Sequence, residues 1–152
     1  MDVLKIYQKL RKYPLGGRLF DKAICFNAPY FSSISPEVVH FSEGHCEFKM
    51  KKKRSVQNHL GTVHAIAMCN LAEICGGMCM ETIINKDQRW IPKGMKVRYL
   101  KKANTDLKGI VKFPKDKIKL GSNLLKIDVI DTSGEIVFDA EIEMHVSQKN
   151  PK

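Results

Sequence analysis

Three polar residues near the middle of the chain have the types and the spacing needed to act on a carbonyl group. Asn58 and His64 are separated by five residues, and His64 and Glu73 by eight, in an otherwise apolar stretch. A carboxylate can serve as a nucleophile or as a general base on water, while an amide or an imidazole can position the reacting groups. Glu73 is the first catalytic candidate, because charged residues in an apolar setting are rare unless they are paired or functional. The alternative is a structural carboxylate, paired with a lysine or held by a main-chain donor.

The stretch that carries these residues is predicted to be one long buried helix. Residues 63–84 are apolar nearly all round, and such a helix is buried either in lipid or in a protein core. Its length is sufficient to cross a membrane, but the polar residues His64, Glu73 and Glu81 argue against lipid. We therefore expect a central helix in a protein core and no transmembrane segment.

On both sides of this helix, apolar and polar residues alternate, which is typical of strands. A hairpin is predicted from residue 37 to about residue 51, with its turn at Glu43-Gly44. Four more strands are predicted over residues 93–101, 108–113, 124–131 and 135–146. The pattern indicates an α+β fold in which an antiparallel sheet of about five to six strands wraps around the central helix.

The first forty residues have a different pattern, with two short amphipathic stretches separated by Pro14 and a pair of glycines. We predict helices over residues 2–12 and 17–27. Residues 1–36 are accordingly interpreted as an N-terminal two-helix extension, and residues 37–148 as the main domain. The first helix is basic, but its charges are too closely spaced for a secretory signal. The expected location is cytoplasmic, with an organelle address in this helix left open.

Composition narrows the class of protein further. The chain has 152 residues, of which 43% are hydrophobic, so it is long enough and apolar enough for one folded domain. The cysteines are odd in number, and we interpret them as reduced, buried thiols; they are Cys25, Cys46, Cys69, Cys75 and Cys79. Cys75 and Cys79 share a helix face, but a second pair of ligands at zinc spacing is missing. No metal site is expected.

The net charge of +10 and the basic run at residues 49–54 raise the question of nucleic acid. The remaining lysines alternate with apolar residues along predicted strands, and no helix-turn-helix, zinc finger or aromatic RNA-binding strand is visible. We therefore expect no nucleic-acid partner. A positive field also attracts a small polyanionic ligand such as a phosphorylated cofactor.

The spacing of Asn58, His64 and Glu73, with a helix beginning at the histidine, resembles the active site of hotdog-fold acyl-CoA thioesterases of the phenylacetyl-CoA thioesterase type. The segments NHLGTVHAIAMCNLAE and RWIPKGMKVRYLKKA and the amino-terminal PYF loop resemble a little-characterised branch of that superfamily. The resemblance covers nearly the whole chain. It implies a hotdog fold, hydrolysis of an acyl-CoA thioester, and no cofactor other than the coenzyme A of the substrate.

The resemblance also implies roles for single residues. Glu73 matches the acidic residue that acts as nucleophile or general base. Ala65 takes the place of the oxyanion glycine, so that its backbone amide would bind the thioester oxygen at the positive end of the helix. His64 would orient the carbonyl or the helix start, and Asn58 would position the water.

The residues expected to contact the rest of the substrate fall into two groups. Basic residues near strand ends are candidates for the coenzyme A phosphates: Arg54, Arg98 and Lys101, with Lys52, Lys53 and Lys102. Residues at the helix start and along the helix are candidates for the lining: Gly61, Thr62 and Met68, with Ile66, Asn70 and Ile74. Gly61 and Thr62 also suit a structural role, as a tight turn and as the N-cap of the helix.

Helix geometry separates the proposed catalytic groups within one chain. Nine residues of helix place His64 and Glu73 about 180° apart around the axis and ~13 Å apart along it. Two such helices side by side in a dimer would bring Glu73 of one subunit to the His64 end of the other. We therefore predict a homodimer or a dimer of dimers with a shared site.

One departure from the thioesterase pattern supports an alternative. Relatives place the water with a Ser or Thr on the strand after the helix, whereas residues 90–93 contain none, and the nearest hydroxyl is Thr82. The alternative is a non-catalytic acyl-CoA-binding or lipid-binding hotdog protein. A hydratase or dehydratase of this fold is disfavoured. Such enzymes pair a His with an acidic residue in other sequence motifs, and neither of those motifs is present here.

Overall fold

The computed structural model describes residues 2–149, which form three α-helices and six strands. The helices are α1 (Val3–Leu10), α2 (Gly16–Asn27) and α3 (Ala65–Ile83). The strands are β1 (Glu37–Ser42), β2 (His45–Met50), β3 (Gln88–Tyr99), β4 (Leu107–Lys112), β5 (Gly121–Ile130) and β6 (Ile136–Gln148). Short 3-10 turns lie at Pro29–Ser33, Arg54–Val56 and Lys115–Lys117.

The six strands form one antiparallel sheet in the order β1-β2-β4-β5-β6-β3, which packs around α3. This confirms the α+β architecture with a sheet around a central helix. β3 begins at Gln88, five residues earlier than predicted, and includes Pro92. Proline is tolerated there because β3 is an edge strand, and the register with β6 shifts between Pro92 and Gly94.

The central helix is buried as its composition predicts. The side chains of Leu71, Ile74, Cys75 and Cys79 are fully buried, and they pack against the inner face of the sheet. Of the helices in residues 2–149, α3 alone has a length and composition compatible with a membrane span. In this fold 67% of that stretch is already covered by the rest of the chain.

The N-terminal helices pack onto the sheet rather than standing apart from it. Tyr7 of α1, Phe20 of α2 and Phe41 of β1 form an aromatic cluster with ring centroids 5.0–5.3 Å apart. α1 ends at Leu10 rather than at residue 12. The division of the chain between residues 36 and 37 remains a prediction.

All five cysteines are free, but only three of them are buried. Cys25 and Cys69 are partly exposed, which corrects the expectation that all five are interior. Burial raises the pKa of the Cys75 thiol, so this thiol is kept protonated and unreactive at neutral pH. No group of three or more metal-ligating side chains occurs in the described part of the chain.

Candidate functional site

The start of α3 is built around His64. This residue is the N-cap of the helix, and its Nδ1 atom accepts a hydrogen bond from the amide of Ile66 at 3.1 Å. The expectation that Thr62 is the N-cap is therefore wrong. Because Nδ1 accepts, the neutral ring carries its proton on Nε2, and this donor has no acceptor among residues 2–149. His64 is exposed, so the donor can reach a ligand.

The amide of Ala65 lies directly after this cap, at the first position of the helix. Within residues 2–149 it donates to no acceptor. The first amides of a helix are unpaired unless a cap or a ligand satisfies them, and they form the positive end of the helix dipole. Since His64 satisfies only the amide of Ile66, the amide of Ala65 is available to a carbonyl oxygen.

Asn58 lies in the loop before the helix and is engaged by that loop. Its Oδ1 atom accepts from the amides of Leu60 at 2.9 Å and Thr62 at 3.2 Å, and its Nδ2 atom donates to the Thr62 hydroxyl at 2.8 Å. Gly61 has a φ of +74°, a conformation that glycine adopts without strain. These contacts give Asn58, Gly61 and Thr62 a structural role in holding the approach to α3.

Glu73 is half-buried on the face of α3 that lies under the edge strand β3. One turn earlier, Cys69 contacts the Tyr99 hydroxyl through its sulfur at 3.6 Å, and one turn later, Gly77 packs against the ring of Trp90. The carboxylate of Glu73 forms no hydrogen bond or ion pair with any residue in the range 2–149. The structural alternative of a paired or capped carboxylate therefore has no support among those residues.

The two ends of the predicted site are far apart within one chain. α3 is continuous from Ala65 to Ile83, so Glu73 lies eight positions after Ala65, which corresponds to ~12 Å along the axis. His64 itself has extended backbone and lies outside the helix. One chain thus brings His64 and Ala65 together but leaves Glu73 apart from them.

A cavity of about 190 Å³ opens beside the helix start. Its lining comes from the turn at residues 29–34, the loop at residues 55–57 and the first turns of α3. The residues are Tyr30, Ser33, Ile34, Ser55, Val56, Gln57, His64, Ile66, Ala67 and Asn70. Of the predicted lining residues, Ile66 and Asn70 border this cavity, whereas Met68 and Ile74 are buried in the core.

The basic candidates are distributed around the same end of the helix. Arg54 lies in the 3-10 turn whose Val56 carbonyl accepts from the amide of His64 at 2.8 Å, and it is exposed. Lys101 precedes Ala103, whose carbonyl accepts from the amide of Val63 at 2.9 Å. Two of the cations are already paired, Lys101 with Glu135 and Arg98 with Asp139. Arg98 and Lys101 are therefore weaker phosphate candidates than Arg54.

No Ser or Thr in residues 90–93 of β3 can position a water near the site. Thr82 lies at the opposite end of α3, where its hydroxyl donates to the Cys79 carbonyl at 2.7 Å and accepts from the Gly44 amide at 3.0 Å. It is buried in this role. Thr82 therefore serves the β1–β2 turn and cannot hold a water at the helix start.

Sequence reasoning missed a second polar region, a groove of about 660 Å³ between α2 and β1. Burial raises the pKa of its Asp21 carboxyl to about 6, while the amide of Val38, which donates to it at 2.9 Å, acts in the opposite direction. Burial also raises the pKa of the Cys25 thiol in the same groove. The residue pattern of α2 from Gly17 to Cys25 could not predict this groove, because Asp21 is buried by β1, a separate segment of the chain.

Residues 16–146 match the family model described as a domain of unknown function, DUF4442. A structural-genomics crystal structure, APC5556, is 36% identical over 97% of this chain and 99% of its own, with a TM-score of 0.86. PA5026 from Pseudomonas aeruginosa, described as a protein of unknown function and probable thioesterase, is 20% identical over 80% and 88% of the two chains, with a TM-score of 0.75.

Thioesterase HI1161 from Haemophilus influenzae is 17% identical over 83% of this chain and 87% of its own, with a TM-score of 0.70. A search of curated proteins finds no significant match. The structural similarities confirm the hotdog fold that the resemblance implied.

Proposed function

The chain belongs to the family of the DUF4442 domain and has the hotdog fold, and from this premise we propose that it hydrolyses acyl-CoA thioesters at a site shared between two subunits. Glu73 carries the proposal. It is a half-buried carboxylate that forms no hydrogen bond or ion pair within residues 2–149, and it lies on the face of α3 that contacts the edge strand β3. The thioesterase names of structures with the same fold give additional support.

The edge strand β3 supports the shared site. It is a strand of twelve residues that pairs with β6 on one side only, and it exposes Ile91 and Tyr99. The unpaired edge of a long strand is a template for pairing with another chain. A second copy paired along β3 would bring two α3 helices side by side, with Glu73 of each subunit near the helix start of the other.

The chemistry follows from the groups at the helix start. The amide of Ala65 and the Nε2 proton of His64 bind the thioester oxygen and stabilise the negative charge that develops on it. Glu73 of the partner subunit takes a proton from water, whose oxygen adds to the thioester carbon. The carbon–sulfur bond then breaks, and the coenzyme A thiolate leaves with a proton returned by the carboxyl group.

The charge of the molecule suits this substrate. The exposed Arg54, with Lys52 and Lys53 directly before it in the chain, places positive charge around the helix start. Lys102 adds to this charge, because it adjoins Ala103, whose carbonyl accepts from the amide of Val63. Such a field attracts a polyanionic ligand and raises its local concentration. The phosphates of coenzyme A are expected to lie there.

The test is the release of free thiol from a panel of acyl-CoA esters. We expect Glu73→Gln to lower kcat by about 10²–10⁴-fold, the range for loss of a general base, with an unchanged melting temperature. Glu81→Gln is the matched control, since Glu81 is an exposed acid on the same helix that accepts from Trp90 Nε1 at 2.7 Å, as a glutamine also can. Equal activity of Glu73→Gln and wild type would refute the catalytic role.

The absence of a hydroxyl in residues 90–93 favours a second candidate, an acyl-CoA-binding protein without hydrolysis. This candidate predicts saturable binding of acyl-CoA by calorimetry, no thiol release from any ester, and no effect of Glu73→Ala on affinity. Thiol release that depends on Glu73 would eliminate it.

A further inference from the structure

We propose that α2 and the loop before it form a surface that binds an anionic lipid bilayer. The inference does not depend on the proposed hydrolysis, because it concerns residues outside the candidate site. It starts from large apolar side chains that the fold leaves exposed in this part of the chain. They are Tyr13, Leu15, Leu19 and Phe26.

The outward face of α2 carries an apolar stripe. Phe20 and Ile24 fill the core side of this helix and are buried. Leu19 is nevertheless 56% exposed and Phe26 88% exposed. These two residues are seven positions apart, which places them about 20° apart around the helix axis and ~10.5 Å apart along it. They therefore share one face, and exposed apolar side chains grouped in this way mark an interaction surface.

Positive charge lies directly beside the stripe. Arg18 and Lys22 are exposed on α2, and neither forms an ion pair within residues 2–149. The acidic residue of this helix, Asp21, is directed toward β1, where it accepts from the amide of Val38 at 2.9 Å. Cations beside apolar side chains suit an anionic bilayer, because the cations bind lipid phosphates while the apolar groups enter the boundary of the acyl chains.

The loop between α1 and α2 continues the same pattern. Arg11 and Lys12 are exposed, and they precede Tyr13 and Leu15, which are both more than two-thirds exposed. Leu15 is the N-cap of α2, so it lies at the N-terminal end of the stripe. Tyrosine is enriched at the interface between a bilayer and water. Two neighbouring elements thus combine exposed apolar groups with positive charge.

The position of α2 leaves this surface accessible in the proposed dimer. α2 packs against β1, and β1 and β3 are the opposite edges of the sheet. A second copy paired along β3 therefore does not cover the stripe. A nucleic acid would neutralise the cations but leave Leu19 and Phe26 in water, whereas an anionic bilayer satisfies both kinds of group.

The apolar part of the surface is tested by co-sedimentation of the full chain with vesicles of phosphatidylglycerol and phosphatidylcholine in equal parts. We expect the unaltered protein to bind these vesicles, and Phe26→Ser to lower its partition coefficient at least about tenfold, because the ring is no longer buried in the bilayer. Leu124→Ser is the matched control, since Leu124 is similarly exposed on the outer face of β5. It is expected to bind as the unaltered protein does.

The charged part is tested with the same vesicles and with phosphatidylcholine alone. Binding to phosphatidylcholine alone should be at least about tenfold weaker, and Lys22→Gln should weaken binding to the mixed vesicles about fivefold, the contribution of one cation at an anionic surface. Lys117→Gln is the control, because it removes the same charge from the exposed turn between β4 and β5. We expect it to have a smaller effect.

Three outcomes would overturn the inference. They are no binding of the unaltered protein to the mixed vesicles, unchanged binding of Phe26→Ser, and equal losses in Lys22→Gln and Lys117→Gln, which would mean that only net charge matters. If light scattering shows that Phe26→Ser dissociates an oligomer, a second copy covers the stripe and the inference also fails. Thiol release in buffer without vesicles tests the proposed hydrolysis separately, and we expect Phe26→Ser to leave it unchanged.

Discussion

At the scale of single residues, His64 is the N-cap of α3, and substitution can separate this role from its proposed role in binding the thioester oxygen. His64→Ala removes the cap from α3, and we expect it to lower the free energy of unfolding by about 1 kcal/mol. His64→Asn keeps a good cap but lacks the Nε2 donor, so stability should return while thiol release stays at least about tenfold lower. Urea unfolding and the thiol assay measure the two effects. Full activity of His64→Asn would show that the ring only caps the helix.

Asp21 gives the molecule a pH dependence of stability. Its carboxyl has a pKa of about 6 in the folded protein, against an ordinary value of 3.8, mainly because it is partly buried. The folded protein thus holds this proton more tightly than the unfolded chain. The stabilisation is complete below about pH 4 and is lost as the pH rises through about 6.

We expect Asp21→Asn to remove this loss, because the amide is uncharged and its oxygen can still accept from Val38. The variant should melt a few degrees higher than wild type at neutral pH and at the same temperature near pH 4. Melting curves over this pH range test the difference. If the melting temperatures of the two proteins change with pH in the same way, the pH dependence does not come from Asp21.

At the scale of elements, the fold depends on how closely α3 approaches the sheet. A methyl group at Gly109 of β4 would lie 2.7 Å from the Cys75 sulfur and 3.2 Å from the Leu71 side chain. Gly109→Ala is therefore expected to lower the free energy of unfolding by about 1–3 kcal/mol. Gly94→Ala is the control, since a methyl group there meets nothing within 4 Å. Similar unfolding curves for both variants would mean that α3 moves away from the added methyl group without lowering the free energy of unfolding.

At the scale of the whole molecule, the exposed face beside β3 decides whether a complete site exists. Ile66 on the first turn of α3 is 54% exposed, and Leu124 on the outer face of β5 is 57% exposed. We expect Ile66→Lys to give a monomer that does not hydrolyse acyl-CoA, because a buried charge at the interface opposes pairing. Leu124→Lys should keep the dimer and its activity. Light scattering after size exclusion measures both, and an active monomer would refute the shared site.

The sequence by itself determined the elements, because they depend on local spacing, and the same spacing predicted a chemistry along α3. Alternation of apolar residues located the strands, and the uninterrupted apolar stretch located the buried helix. The spacing of Asn58, His64 and Glu73 identified the family pattern before any contact was known. Errors in the positions of helices and strands were confined to their ends, as at Pro92, where only the edge position of β3 makes a proline acceptable in a strand.

The tertiary structure alone decided which polar atoms are already engaged and which remain free. Asn70 owes its fixed amide to Tyr30 and Ser33, about forty positions earlier in the chain, and Asp21 owes its burial to β1. No local periodicity encodes such contacts, since they arise when distant segments pack together. The availability of a donor or an acceptor depends on those contacts, so it can be known only from the fold.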